Sequence, residues 1–276
     1  MKDINRIKDV LLNREDLINH GYAIGQRHRL KRSKASTKIL KKRLVENYNA
    51  IFKIYKALDR FSKENKDLSP ASDWLLDNFY KIEVQVKEVK FNIEQEKYYR
   101  LNALASGYLK GYPRIYALAL EYVSHTDGSL DVDLLIDFIK AYQKSQILTM
   151  SEVWALSLVT RIALVENIRI ICSDIYNTQL QWNKAEKDSE LKMEELLIAV
   201  NENLEVDNRL NTSYIEHLLT VLRRTGQEHG EVLDFLERKL EEHNTTIKDL
   251  ISHEHKEYAM RKISIGNSIT SLHSIG

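Results

Sequence analysis

Thr149-Met-Ser-Glu-Val-Trp-Ala-Leu-Ser-Leu-Val-Thr-Arg-Ile-Ala-Leu-Val-Glu-Asn-Ile-Arg-Ile-Ile-Cys172 is the most apolar stretch of the chain, and it opens on a helix signature. Thr149 and Glu152 stand at the spacing of a capping box. In that motif the threonine oxygen accepts a backbone N–H while the glutamate reaches back to the threonine's own N–H. From Val153 to Cys172 no Gly or Pro intervenes, so the pattern predicts a long, largely buried helix. Ser157, Thr160, Arg161, Glu166, Asn167 and Arg169 interrupt it. A membrane span needs about 20 mostly apolar residues without such charges, so no crossing is expected here.

Further helices follow on both sides. Upstream, Leu134, Leu135, Phe138, Ile139 and Tyr142 recur at helical spacing, and Pro113 marks the start of an apolar helix through Ile115 to Val123. Ser69-Pro70 starts another, with Trp74, Leu75, Phe79, Ile82, Val86 and Val89 on its inner face. Ile39, Leu44, Tyr48, Ile51, Phe52, Tyr55 and Leu58 form a third pattern, and a first helix is read over 3–25. Downstream, the polar residues 183–212 read as a thinly packed connection between two subdomains. Tyr214 to Leu222 and Val232 to Leu240 read as an antiparallel pair, and Thr246 to Asp249 as a weaker capping box. The last residues are still amphipathic, which reads as a cut within a longer protein.

Nine Gly and 2 Pro in 276 residues are few for a turn-rich sheet protein. The expected fold is therefore all-α, a multi-helix bundle of two packed helical subdomains. Residues 1–182 would form the main bundle and 183–276 a C-terminal helical segment. The net charge of +1 gives no whole-chain preference for a polyanion. The single cysteine, Cys172, cannot form an internal disulfide and fits a reducing compartment. No apolar segment follows Met1, so no signal peptide is expected.

Candidate chemistry is sparse. Asp131-Val-Asp133 has the form of a metal–nucleotide motif, but it follows a turn and precedes a helix, where capping explains it. Asp127-Gly-Ser-Leu-Asp131 does not place a Gly and a Glu where a calcium loop needs them. His253-Glu-His255 puts its imidazoles two apart, whereas helical zinc histidines sit four apart. No catalytic residue, metal site or cofactor is expected. Two surfaces remain. Tyr98, Tyr99, Arg100, Tyr112 and Arg114 form an aromatic and basic cluster that could cradle a sugar or bury its rings with their hydroxyls satisfied locally. Residues 27–43 are basic throughout, with Arg27, Arg29, Lys31, Arg32, Lys41 and Lys42 as candidate contacts to anionic lipid or nucleic acid. The ordinary alternative for such a run is a solvated face.

Several stretches together resemble the N-terminal region of bacterial cyclic β-1,2-glucan synthases. They are Asp73-Trp-Leu-Leu-Asp-Asn-Phe-Tyr80, Tyr98-Tyr-Arg100, Gly111-Tyr-Pro-Arg-Ile-Tyr-Ala-Leu-Ala119, His125-Thr-Asp-Gly128, Ala141-Tyr-Gln143, Leu148-Thr149 with Glu152-Val-Trp-Ala-Leu156, Leu164-Val-Glu-Asn-Ile-Arg169, Thr245-Thr-Ile247 and Ser264-Ile-Gly-Asn-Ser-Ile-Thr270. The resemblance runs from about residue 10 to the last residue, and it departs at Gln95 to Lys97 and at Ser157, where the family pattern often has proline. Such enzymes join a membrane glucosyltransferase using UDP-glucose to a phosphorylase-like domain. The resemblance implies a non-catalytic helical module on the cytoplasmic side of the inner membrane. Its implied partners are the remaining domains of the synthase, β-1,2-glucan and an anionic membrane surface; nucleic acid is disfavoured. Gln179-Leu-Gln-Trp182 does not match the acceptor motif of processive transferases, since it lacks the Arg and has the wrong spacing. The alternative is a free-standing helical interaction protein working through residues 27–43.

Overall fold

The computed structural model describes residues 10–95, 100–225 and 230–275. In chain order its elements are α1 (Arg14–Arg27), β1 (Leu30–Ser36), α2 (Lys38–Lys63), α3 (Pro70–Gln95), β2 (Arg100–Leu104), α4 (Arg114–His125), α5 (Val132–Gln143), α6 (Met150–Trp154) and α7 (Leu156–Ser189). They continue as α8 (Met193–Asn203), β3 (Glu205–Val206), β4 (Arg209–Leu210), α9 (Thr212–Thr225), α10 (Gly230–Glu242) and α11 (Ile247–Ser274). The all-α expectation holds. Two small antiparallel sheets, β1 with β2 and β3 with β4, are the additions.

The helix starts follow local chemistry. Ser69 Oγ accepts the Ser72 N–H at 3.2 Å, and Pro70 is the first residue of α3. Pro113 stands at the cap position of α4. Thr149 and Glu152 do form the capping box, but it opens only the short α6; α7 begins at Leu156 and continues past Cys172 to Ser189. The helix read over 3–25 starts at Arg14, because Asn13 caps it by accepting the Asp16 N–H at 3.0 Å. Val10 and Leu11 precede this helix and are exposed, and residues 1–9 lie outside the described residues.

Within the basic run the chain forms β1, which pairs Lys34 with Asn102 and Ser36 with Arg100. Only Ala35 is buried along this strand, so no alternation of apolar and polar residues announces it.

The chain forms two compact units that interleave along the sequence. The first comprises 1–53, 78–172 and 263–276, the second 54–77 and 173–262. The division read at 182/183 falls inside α7, because that helix supplies core residues to both units.

In the first unit α4 is the centre. Every residue from Arg114 to His125 is buried except Glu121. Helix α1 lies against α5 through Gly21 and Gly25. A methyl group at either position would come within 3 Å of a backbone carbonyl, that of Phe138 (2.8 Å) or of Tyr142 (2.9 Å). The small-residue contact sets how close α1 comes and which way His20 and His28 point.

The second unit packs Ala185, Leu196, Val200, Tyr214, Leu218, Leu222, Val232, Leu236, Leu240 and Leu250 into one cluster. Residues 183–212 are thus part of this core and not a thin connection. Their polar look comes from the exposed face of α8 and from the β3–β4 turn. There Asp207 and Asn208 both take positive φ, 52° and 60°, which these residue types tolerate better than most.

Candidate functional site

The first unit holds a cleft of about 460 Å³ between the end of α1, the loop at Ser106 to Leu109, and α4. Its floor carries His20 from α1 and Glu121 and His125 from α4. Glu121 and His125 are four apart, so they share one helix face. His20 Nε2 lies 2.9 Å from Glu121 Oε2, and His125 Nε2 lies 3.7 Å from the same oxygen. The two imidazoles meet edge to face at 77°, with centroids 4.7 Å apart. His125 is buried, while His20 and Glu121 are partly open to the cleft. Burial alone would raise the Glu121 carboxyl, but its hydrogen bonds to His125 and His20 hold it well below the usual carboxylate range. His28, Arg27 and Arg29 line the cleft beside them. Burial, helped by the charges of Arg114 and Arg27, pushes the His28 imidazole down to about 4, against an opposing pull from Glu121.

Around this cleft the first unit is tied by buried polar joints. Glu166, fully buried on α7, accepts from Arg43 Nε at 2.8 Å, from a second Arg43 N–H, from the Tyr116 hydroxyl and from Asn47 Nδ2 at 3.3 Å. Burial disfavours charge on both partners, yet their mutual bonds outweigh it. The Glu166 carboxyl is held below its usual range and the Arg43 guanidinium above its own. Arg114 donates from Nε and from a terminal nitrogen to the two oxygens of Glu152, at 2.8 and 2.7 Å, and to the Ile147 carbonyl at 2.7 Å. Glu152 therefore serves the capping box and the guanidinium together. Helix α11 is pinned to the turn after α4: Ser264 donates to Asp127, and Ser271 donates to the Gly128 carbonyl at 2.7 Å. Asn167 donates to Ser268 at 3.0 Å.

Over 238 residues, 83% of its length, the chain is 28% identical to the cyclic β-(1,2)-glucan synthase NdvB of Rhizobium meliloti (strain 1021). The chain is similar to a cyclic β-(1,2)-glucan synthase. The resemblance read from its motifs is thereby borne out. The match spans 8% of the length of that synthase. No family model matches the chain.

Several of the motif stretches quoted from the sequence supply these joints. Gly111 to Ala119 supplies Arg114 and Tyr116, and Leu164 to Arg169 supplies Glu166 and Asn167. His125 to Gly128 meets Ser264 to Thr270 across hydrogen bonds.

The residues singled out for sugar binding are placed as follows. Arg114 is only 2% exposed and is committed to Glu152, Gln146 and Ile147. Tyr112 is half-buried and stacks on Tyr116, with ring centroids 5.8 Å apart. Arg100 opens β2, and Tyr98 and Tyr99 lie outside the described residues.

The basic run divides over three elements. Arg27 and Arg29 reach the cleft, Lys31 and Arg32 lie on β1, and Lys41 and Lys42 lie on α2, where Lys42 pairs with Glu46 at 3.8 Å. Arg43, the last of the run, is buried against Glu166.

The short motifs take these places in the structure. Asp131 caps α5 by accepting the Leu134 N–H at 3.0 Å. His253 and His255 are exposed, while Glu254 between them is buried under the Thr212 and Ser213 hydroxyls. Gln179 is buried too. Its oxygen accepts the Ser69 N–H at 2.9 Å and its amide donates to the Asp67 carbonyl at 2.7 Å, so it anchors the start of α3. Reading by motif missed the His20–Glu121–His125 cluster. Its one local trace is the Glu-x-x-x-His spacing of 121 and 125.

Proposed function

We propose that the chain is a non-catalytic helical module of a cyclic β-1,2-glucan synthase, which supports or docks the membrane glucosyltransferase. One observation supports this reading: in a chain similar to the synthase over 83% of its length, several of the motif stretches read from the sequence are tied together by hydrogen-bonded joints of the first unit. Residues held in fully hydrogen-bonded buried pairs define a rigid frame, and a frame is what a docking partner needs. No helix of the described residues is long and apolar enough to cross a membrane. We place the module on the cytoplasmic side, where a UDP-sugar donor is available. Its partners in this reading are the remaining domains of the synthase. Contact with β-1,2-glucan or with an anionic membrane surface is secondary.

The test is an assay of the purified chain for UDP-glucose hydrolysis and glucosyl transfer. The expected result is none above background. Turnover that disappears with Asp131→Ala and Asp133→Ala would overturn the reading.

A further inference from the structure

We propose that His20, Glu121 and His125 form a binding site for a divalent transition-metal ion of the zinc class, open to the cleft.

His125 Nδ1 lies 3.0 Å from the Val10 carbonyl oxygen. A carbonyl only accepts, so Nδ1 carries the N–H, and the neutral ring presents its lone pair at Nε2. That lone pair faces Glu121 Oε2 at 3.7 Å. With Nε2 protonated this contact is the hydrogen bond to Glu121 described above; with the ring neutral, a metal ion can take the proton's place between the two atoms. The spacing suits a metal. Ligand atoms about 2.0–2.1 Å from a tetrahedral zinc stand about 3.3 Å apart. The two nitrogen-to-oxygen distances here, 2.9 and 3.7 Å, bracket that value, and all three ligand atoms lie within 4.8 Å of one another.

The surroundings fit as well. The Val10 carbonyl orients the His125 ring from behind, as the outer partners of zinc-bound histidines do. The cleft gives an ion a way in and leaves one coordination position for water or an anion. Two imidazoles and one carboxylate are borderline ligands that favour zinc and its neighbours over magnesium or calcium.

A second cluster, Asp67, Glu186 and His217, has the same ligand types. There Arg224 already pairs with Asp67 at 2.5 Å, and His217 stacks flat on Trp182 at 3.9 Å. It serves as the internal control.

The untagged chain, stripped with chelator, would be titrated with zinc by calorimetry and with cobalt by visible absorption. The expected result is one ion per chain, with the intense visible bands of four-coordinate cobalt. His20→Gln and Glu121→Gln should each weaken binding by at least about 100-fold, more than loss of an outer partner does. Both side chains are partly exposed, so these variants are expected to fold, and circular dichroism of the metal-free proteins checks this. Three results would overturn the proposal: no uptake at millimolar cobalt, uptake unchanged in both variants, or uptake lost instead with His217→Gln. If a proton alone bridges the cluster, the titration gives the first of these.

Discussion

Replacing Glu166 by Gln tests the central joint most directly. The carboxylate is fully buried and accepts four hydrogen bonds, two of them from Arg43. Glutamine keeps the shape but not the charge, and its amide would aim N–H groups at a guanidinium that has only N–H groups to offer. Arg43, 8% exposed, would be left charged in the core. Breaking a buried pair on one side costs about 3–5 kcal/mol. For a folding unit of this size each kcal/mol moves Tm by about 2–4 °C, so a drop of roughly 10 °C is expected.

Urea unfolding followed by far-ultraviolet circular dichroism gives the free energy. A double-mutant cycle with Arg43→Met adds a sharper readout. Once the guanidinium is gone, the glutamine no longer strands a charge, so the double variant should cost less than the sum of the singles by at least about 1 kcal/mol. The loss should persist in high salt, because a buried pair is little screened. A cost below about 1 kcal/mol for Glu166→Gln, or strict additivity in the cycle, would refute the reasoning. Water would then be reaching the carboxylate.

Three further outcomes are expected. Thr149→Ala removes one cap and should cost about 1 kcal/mol, whereas Glu152→Gln also strands Arg114 and should cost about 3 kcal/mol or more in the same urea assay. Gly128→Ala should destabilise by about 2–3 kcal/mol, since Gly128 has φ +70° and a methyl group there would stand 2.1 Å from Ser268 Oγ; Ser268→Ala in the same chain should recover only part of the loss, as the positive φ remains. His28 should make stability fall as the pH drops from 6.5 towards 4, because its folded pKa is lowered and the unfolded chain takes up the proton first. The effect has a ceiling of about 3 kcal/mol, reduced by partial exposure, and His28→Gln should flatten that part of a Tm-against-pH curve.

How much of this was legible depends on distance along the chain. The starts of α3 and α5 and the box at Thr149 were readable, because each cap joins residues three apart, and the start of α4 because Pro113 marks it. Strand β1 was not. Its one buried residue sits among exposed basic ones, and its pairing with β2 is a long-range event. The Arg43–Glu166 joint spans 123 positions, and nothing local separates Arg43 from its solvated neighbours in the basic run. The cleft cluster shows the same division. Glu121 and His125 share a helix face that four-residue spacing reveals, but His20 arrives from 101 positions away, aimed by the close packing of α1 on α5. The extent of α7 was missed for another reason: apolarity falls after Cys172 while helix propensity does not, and a reading weighted to apolar runs stopped there.

The joints also make the motif stretches depend on one another. A buried polar side chain stabilises only with its partner present; alone it costs the desolvation of an unsatisfied group. Glu166 needs Arg43 and Tyr116, Arg114 needs Glu152, Asp127 needs Ser264, and Asn167 needs Ser268. Apart from Arg43, which lies in the basic run, these partners lie in the quoted stretches, so a change in one strands a group in another. The same dependence reaches the cleft. His125 closes α4 two residues before Asp127, and its backbone carbonyl accepts the Leu12 N–H at 3.2 Å. The turn that Ser264 and Ser271 pin is therefore the turn that fixes the end of α4 and the second imidazole of the cluster. The frame and the cleft are one construction, and loosening the α11 serines should blur the geometry of the three ligand atoms before it unfolds the unit.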